Sequence, residues 1–197
     1  AMYRGVTYFV QQNGISLEEL QSMTTEEMNA LLDKIHLSFA VNPETGNSDL
    51  FLNGVDIETK IRDLKVSEWV SPVSAIPAIR HRMVALQQRY GLEKGIVMDG
   101  RDIGTKVFPD AELKIFMTAR KDVRAKRRFD ELNAKGFMVT MDEVIDNIEK
   151  RDTTDTHRAE SPLRQAEDAI VLDNSDLTEK QQFEFAVGLV RDLVAVE

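Results

Sequence analysis

The 197 residues contain no cysteine, which excludes disulfides and thiolate metal sites and fits a reducing, cytoplasmic compartment. Histidine is nearly as scarce. His36, His81 and His157 stand far apart with no zinc-ligand spacing, and all three read as non-metal. No apolar run approaches the ~18 residues of a membrane span, and no signal peptide opens the chain, so no membrane role is expected. Basic residues are in deficit, 25 against 34 acidic ones, for a net charge of −9. General nucleic-acid binding, which needs a broad basic surface, is thereby disfavoured. Internal repeats, low-complexity stretches and flexible linkers are also missing.

What remains is an ordinary globular composition, 42% hydrophobic and 30% charged, long enough for one sizeable core and a small inserted lobe. The arginines are not scattered. Eight of the fourteen lie between Arg101 and Arg164, and ARKDVRAKRR (119–128) holds six basic residues against one acid. An acidic chain that gathers arginine in one region suits a small, highly charged anion better than a polymer.

Local signals divide the chain. Residues 2–13 read as a helix closed by Gly14, and Ser16 with Glu19 and Thr24 with Glu27 mark the starts of two short helices. His36 to Val41 alternates as a strand, and Asn53-Gly54 between apolar residues predicts a hairpin. Residues 67–90 return to a helical period that places Ile79, Met83, Leu86 and Tyr90 on one face, with Pro77 suited to a first turn. Ile96 to Met98 form a short apolar run, expected to be a buried strand. A second strand is expected over 114–118. A basic helix follows over about 121–134, with Ala125, Phe129 and Leu132 inward and Gly136 at its end. Thr140 with Glu143 caps another helix, Ile170 to Leu172 forms a strand, and a last helix from Thr178 is expected to bury Phe183, Val187, Val190 and Val194. Strands alternating with helices from 95 to 195 imply a parallel sheet with helical crossovers.

Three segments could carry chemistry. Asp99-Gly-Arg-Asp102 places two carboxylates and a guanidinium beyond a strand's carboxyl end, where open α/β sheets bind ligands; the plain alternative is a capped strand end with one ion pair. Arg151, Asp155 and Arg158, at i, i+4 and i+7, make either a solvated helix end or a mobile flap that closes guanidinium groups over phosphates. Arg120, Arg124 and Arg128, at i, i+4 and i+8, form either a polar surface face or a like-charged stripe awaiting an anion. An RNA-binding helix is a further reading, weakened by the lack of a second basic patch interleaved with aromatics.

Across nearly its whole length the chain resembles bacterial cytidylate (CMP/dCMP) kinases. The likeness rests on AMYRG (1–5), VSPVSAIPAIRHRM (70–83), DGRDIGTKVFPDAELKIF (99–116), RAKRR (124–128), KGF (135–137), RDTTDTHRAESPL (151–163) and VLDNSDLT (171–178). It implies an α/β fold of the nucleoside-monophosphate-kinase type: helical core at 1–34, inserted acceptor-binding β lobe at 35–66, core at 67–150, flap at 151–164 and core at 165–197. It also implies phosphoryl transfer from ATP, with Mg²⁺, to CMP or dCMP. By position, Arg4, Arg101 and Arg158 would grip the acceptor phosphate, while Ser71, Arg80 and Asp102 would read cytosine. Arg151 and Asp155 would hold the sugar hydroxyl and Tyr3 would line the pocket. Asp99 would take the strand-end acid position that organises Mg²⁺, and Arg128 would face ATP. Asp99, Arg101, Arg151 and Arg158 are the catalytic candidates, and no metal-binding cluster is expected.

One departure matters. No G-x-x-x-x-G-K-[ST] occurs, and Thr105-Lys106 do not replace it because the glycine pattern before them is wrong. Relatives of this kind carry that loop in a first βαβ unit, roughly 35 residues, ahead of the counterpart of Ala1. A chain lacking it is expected to be inactive, and to lack a first strand lying between 96–98 and 114–118. The expected consequence is that those two strands pair directly, or that a second copy fills the slot in an exchanged homo-oligomer. A non-catalytic binder of pyrimidine nucleotides or RNA ends is the alternative function.

Overall fold

The computed structural model describes residues 1–195, which divide into two compact units meeting between Ile96 and Val97.

In the first unit, α1 (Met2–Gln12) runs to a cap at Asn13, with Gly14 at a φ of 69° turning the chain. Ser16 Oγ accepts from the Glu19 N–H to start α2 (Leu17–Ser22), and Thr24 with Glu27 forms a complete capping box on α3 (Thr25–Leu32). The chain then turns to strand, β1 (Leu37–Val41), β2 (Ser48–Leu52) and β3 (Val55–Asp56), in an antiparallel sheet of that order. The expected hairpin is present. Asn53 and Gly54 both take positive φ, 51° and 80°, the backbone a tight two-residue turn demands.

The helical stretch after it is broken in two, α4 (Leu64–Ala75) and α5 (Pro77–Gly91). Proline dictates the break: Ile76 ahead of Pro77 is extended, as the ring requires, and Pro77 begins the next helix. Ile79 and Met83 are buried, as the helical period implied. Helix α1 seats closely on the sheet at Gly5, where a Cβ would stand 2.9 Å from Leu37 Cδ2 and 3.0 Å from Leu50 Cδ2.

The second unit differs from expectation at its start. Ile96 to Met98 is not a strand, and Val97 is fully exposed. It does not pair with the 114–118 segment either. A strand exists only when its N–H and C=O groups meet a partner, and among the described residues none is offered to this run. The chain passes into a five-residue π-helical turn, Ile103–Val107, in which the Asp102 carbonyl accepts from the N–H groups of Lys106 and Val107. Next come β4 (Ile115–Thr118), α6 (Lys121–Ala134), α7 (Met141–His157), β5 (Ile170–Asp173) and α8 (Glu179–Val194). Strands β4 and β5 pair in parallel, Ile115 opposite Ile170 and Thr118 opposite Asp173, so the parallel α/β pattern is realised in two strands.

A second correction concerns α8. It buries none of its residues: Phe183 is 69% exposed and Val194 67%, Val190 is exposed, and Val187 is only partly covered. Its period is that of a core-facing helix, but among the described residues no element covers that stripe. Helix α7 continues through Arg151 to His157, in keeping with the i, i+4, i+7 spacing of Arg151, Asp155 and Arg158. The helix ends in a turn where Ser161 has a φ of 48° and the Leu163 N–H donates to the Asp155 carbonyl at 2.6 Å.

Candidate functional site

The candidate residues fall into two groups, one in each unit. In the first unit, α1 and α5 bring Tyr3 and Arg80 together. The Arg80 guanidinium lies over the Tyr3 ring, 5.4 Å from its centroid, and Nη1 donates to the Ser74 carbonyl at 2.9 Å. Arg80 is only 1% exposed, a large cost for a cation unless the aromatic face and the carbonyl hold it. Ser71 lies one turn before Ser74 on α4, and its carbonyl accepts from the Ser74 hydroxyl. Arg4, on the same helix as Tyr3, donates through Nη1 to the Ile61 carbonyl at 2.7 Å and to Ser67 Oγ at 2.9 Å.

In the second unit, Arg101, Asp102, Arg151, Asp155 and Arg158 converge from the π-helical turn and the end of α7. Arg101 Nε donates to Asp155 Oδ2 at 2.9 Å. The Arg158 side chain, 6% exposed, has Nη2 3.9 Å from Asp102 Oδ1 and Nη1 3.7 Å from Asp155 Oδ1. Both carboxylates are buried. Helical spacing accounts for part of this, since Asp155 and Arg158 are one turn apart on one face. The π-helical turn accounts for the rest. It takes Asp102 inward, and at Gly100 a Cβ would stand only 2.7 Å from Ile103 Cγ1.

Arg151 lies beside this cluster with Nε buried and without a hydrogen-bond partner among the described residues. Burial, then the like charge of Arg101 and more weakly of Arg128, hold its guanidinium below the usual arginine range. Two cations so placed repel, and an anion between them removes the penalty. The other second-unit candidates are looser. Asp99 is exposed, and Arg128 is engaged on its own helix with Glu131 at 2.7 Å.

The basic stripe of α6 is a polar face whose arginines are ion-paired. Arg120 forms a two-pronged pair with Asp176, Arg124 with Asp152, and Arg127 donates to the side chain and carbonyl of Asn174. The carboxylates that meet Arg120 and Arg124 come from the β5–α8 loop and α7, 56 and 28 residues away, whereas Arg128 is met locally by Glu131. Asp152 was the residue most easily overlooked: it lies inside the RDTTD run, but its partner is on another helix. Arg124 holds the Asp152 carboxyl below the ordinary aspartate range.

Comparison with known proteins covers nearly the whole chain. A family model described as "Cytidylate kinase" matches residues 1–192. The chain is 54% identical to the cytidylate kinase of Bacteroides thetaiotaomicron over 185 residues, 94% of this chain and 80% of that one. Identity is 53% to the cytidylate kinase of Parabacteroides distasonis, over 92% of this chain and 79% of that one. It is 47% to that of Flavobacterium johnsoniae, over 100% of this chain and 85% of that one. With a family model matching residues 1–192 and relatives about half identical over nearly all of its length, the chain belongs to the cytidylate kinase family.

Proposed function

We propose that the chain binds CMP or dCMP as the acceptor of a phosphoryl group from ATP, giving CDP or dCDP. The observation that carries this is the second-unit cluster: three arginines, one with a buried donor unfilled, gathered around two buried carboxylates. In the first unit, Tyr3, Arg4, Ser71 and Arg80 are the acceptor-binding residues that the family resemblance assigns. In the second unit, Arg101 and Arg158 grip the acceptor phosphate, and Arg151 and Asp155 hold the sugar hydroxyl. Asp102 accepts from the exocyclic amine of cytosine. A carboxylate there selects cytosine over uracil, which presents a carbonyl instead. Phosphoryl transfer asks chiefly for positioning and charge neutralisation, and a site rich in arginine suits it.

Mg²⁺ bound with ATP neutralises phosphate charge. It usually keeps several waters and takes only one or two protein carboxylates. Asp99, an exposed hard-oxygen donor, fits that requirement, and no group of three ligating side chains occurs among the described residues. Arg128 faces the ATP side in this reading. The 197 residues hold no G-x-x-x-x-G-K-[ST], so by themselves they should show negligible ATP-dependent CMP phosphorylation. Robust turnover by this chain alone would show that ATP is held another way.

The binding test is calorimetric titration. CMP should bind clearly better than UMP, since each mismatched polar contact costs about 1–3 kcal/mol. Asp102→Asn should erase most of the difference. Equal affinity for CMP and UMP in the wild-type chain would remove the cytosine-reading assignment.

A further inference from the structure

The second half of α7 carries Arg151 and Asp155 and ends at Arg158, but apolar packing does little to hold it. The helix buries only Val144 and Asp155, and no Leu, Ile, Val, Met or Phe occurs from Glu149 until Leu163. Charge holds it instead. Asp152 accepts from Nη1 and Nη2 of Arg124 at 2.7 and 2.8 Å, Lys121 Nζ lies 3.6 Å from Glu149 Oε1, and Arg101 bonds Asp155. The last of these belongs to the binding cluster itself. The first two reach α6, which is anchored by buried Ala125 and Leu132, and only Arg124–Asp152 is both two-pronged and partly buried.

We propose that Arg124–Asp152 is a positioning latch, pinning the site-bearing half of α7 to α6 so that Arg151, Asp155 and Arg158 stay converged on Arg101 and Asp102 before any ligand arrives. The inference rests on the acceptor-binding reading above. Its physical basis is preorganisation: a fork-on-carboxylate pair fixes direction as well as distance, so less ordering is left to be done on binding. Asp152 also sits in the field of Arg101 and Arg151, which lower its carboxyl pKa after Arg124 does, and its charge offsets their mutual repulsion. Neither Arg124 nor Asp152 need touch the acceptor.

The test is a mutant cycle in the 197-residue chain, Asp152→Asn, Arg124→Ala and the double variant, read by CMP and UMP titration and by amide hydrogen exchange. Each single change should weaken CMP about tenfold, and the double no more than either single, because one interaction is lost in all three. The CMP-to-UMP ratio should be kept, since the base-reading residues are not on α7. Exchange should quicken over 149–163 and stay unchanged over 121–134. Additive losses, unchanged exchange over 149–163, or exchange rising equally through α6 and α7 would each overturn the latch. Should the wild-type chain not bind CMP, the acceptor reading fails, while the exchange pattern still decides the latch.

Discussion

The two units are held together by different physics. Among the described residues, eighteen buried hydrophobic side chains belong to the first unit and five to the second. In the first, Val6, Val10, Leu20, Leu50 and Ile57 close around α1 and the β lobe. In the second, buried apolar residues are few, and cross-element ion pairs fasten the pieces: Arg101–Asp155, Lys114–Asp168, Arg120–Asp176 and Arg124–Asp152. A unit built on apolar burial resists salt and pH; one built on partly exposed ion pairs does not.

The sharpest challenge to this contrast is core truncation. Leu50→Ala should cost about 2–5 kcal/mol in denaturant unfolding, as for a fully buried leucine that leaves a cavity. Val194→Ala, on the open stripe of α8, should change stability by no more than about 0.5 kcal/mol. A large loss from Val194→Ala would mean that the stripe is covered in solution, and the contrast between the units would fail.

Acid should separate the units next. Asp152 and Asp168 have carboxyl pKa values lowered mainly by hydrogen bonds from Arg124 and Lys114. Groups depressed in the folded state contribute stability that is present above their unfolded pKa and is lost as pH falls through the folded value. Below about pH 4, amide exchange should therefore rise in α6 and α7 before it rises in α1 and α5. Raising salt to about 1 M at neutral pH should move protection in the same order. Simultaneous loss in both units would show that they open as one.

The smallest effects are local and test the first unit alone. Gly54→Ala forces a side chain into a positive φ and should cost about 1 kcal/mol without altering the second unit's exchange. Thr24→Ala removes a capping box and should cost a similar amount, about 1 kcal/mol. An effect of either change in α6 to α8 would reveal coupling that the contrast does not provide for.

Legibility in the sequence follows the same division. Helix starts at Thr24, Thr140 and Thr178, the turn at Asn53-Gly54 and the stops at Gly14 and Gly136 were readable because each is decided within about four residues. The convergence of Asp155 and Arg158 was half-readable, as helical spacing puts them on one face; that Asp102 would join them depended on a π-helical turn with no such signature. The partners of Arg120 and Arg124 on the α6 stripe were not readable, because those carboxylates come from distant segments.

The sequence by itself therefore determined the capped helices, the hairpin, the parallel pairing pattern of the second half and, through its motifs, the family. Only the tertiary structure decided that Ile96–Met98 is no strand, that α8 leaves its apolar stripe open and that Arg124 meets Asp152. Each of these depends on whether a partner far along the chain arrives at hydrogen-bonding or contact distance. Periodicity reports which face of an element seeks burial; it carries no information about what is there to bury it.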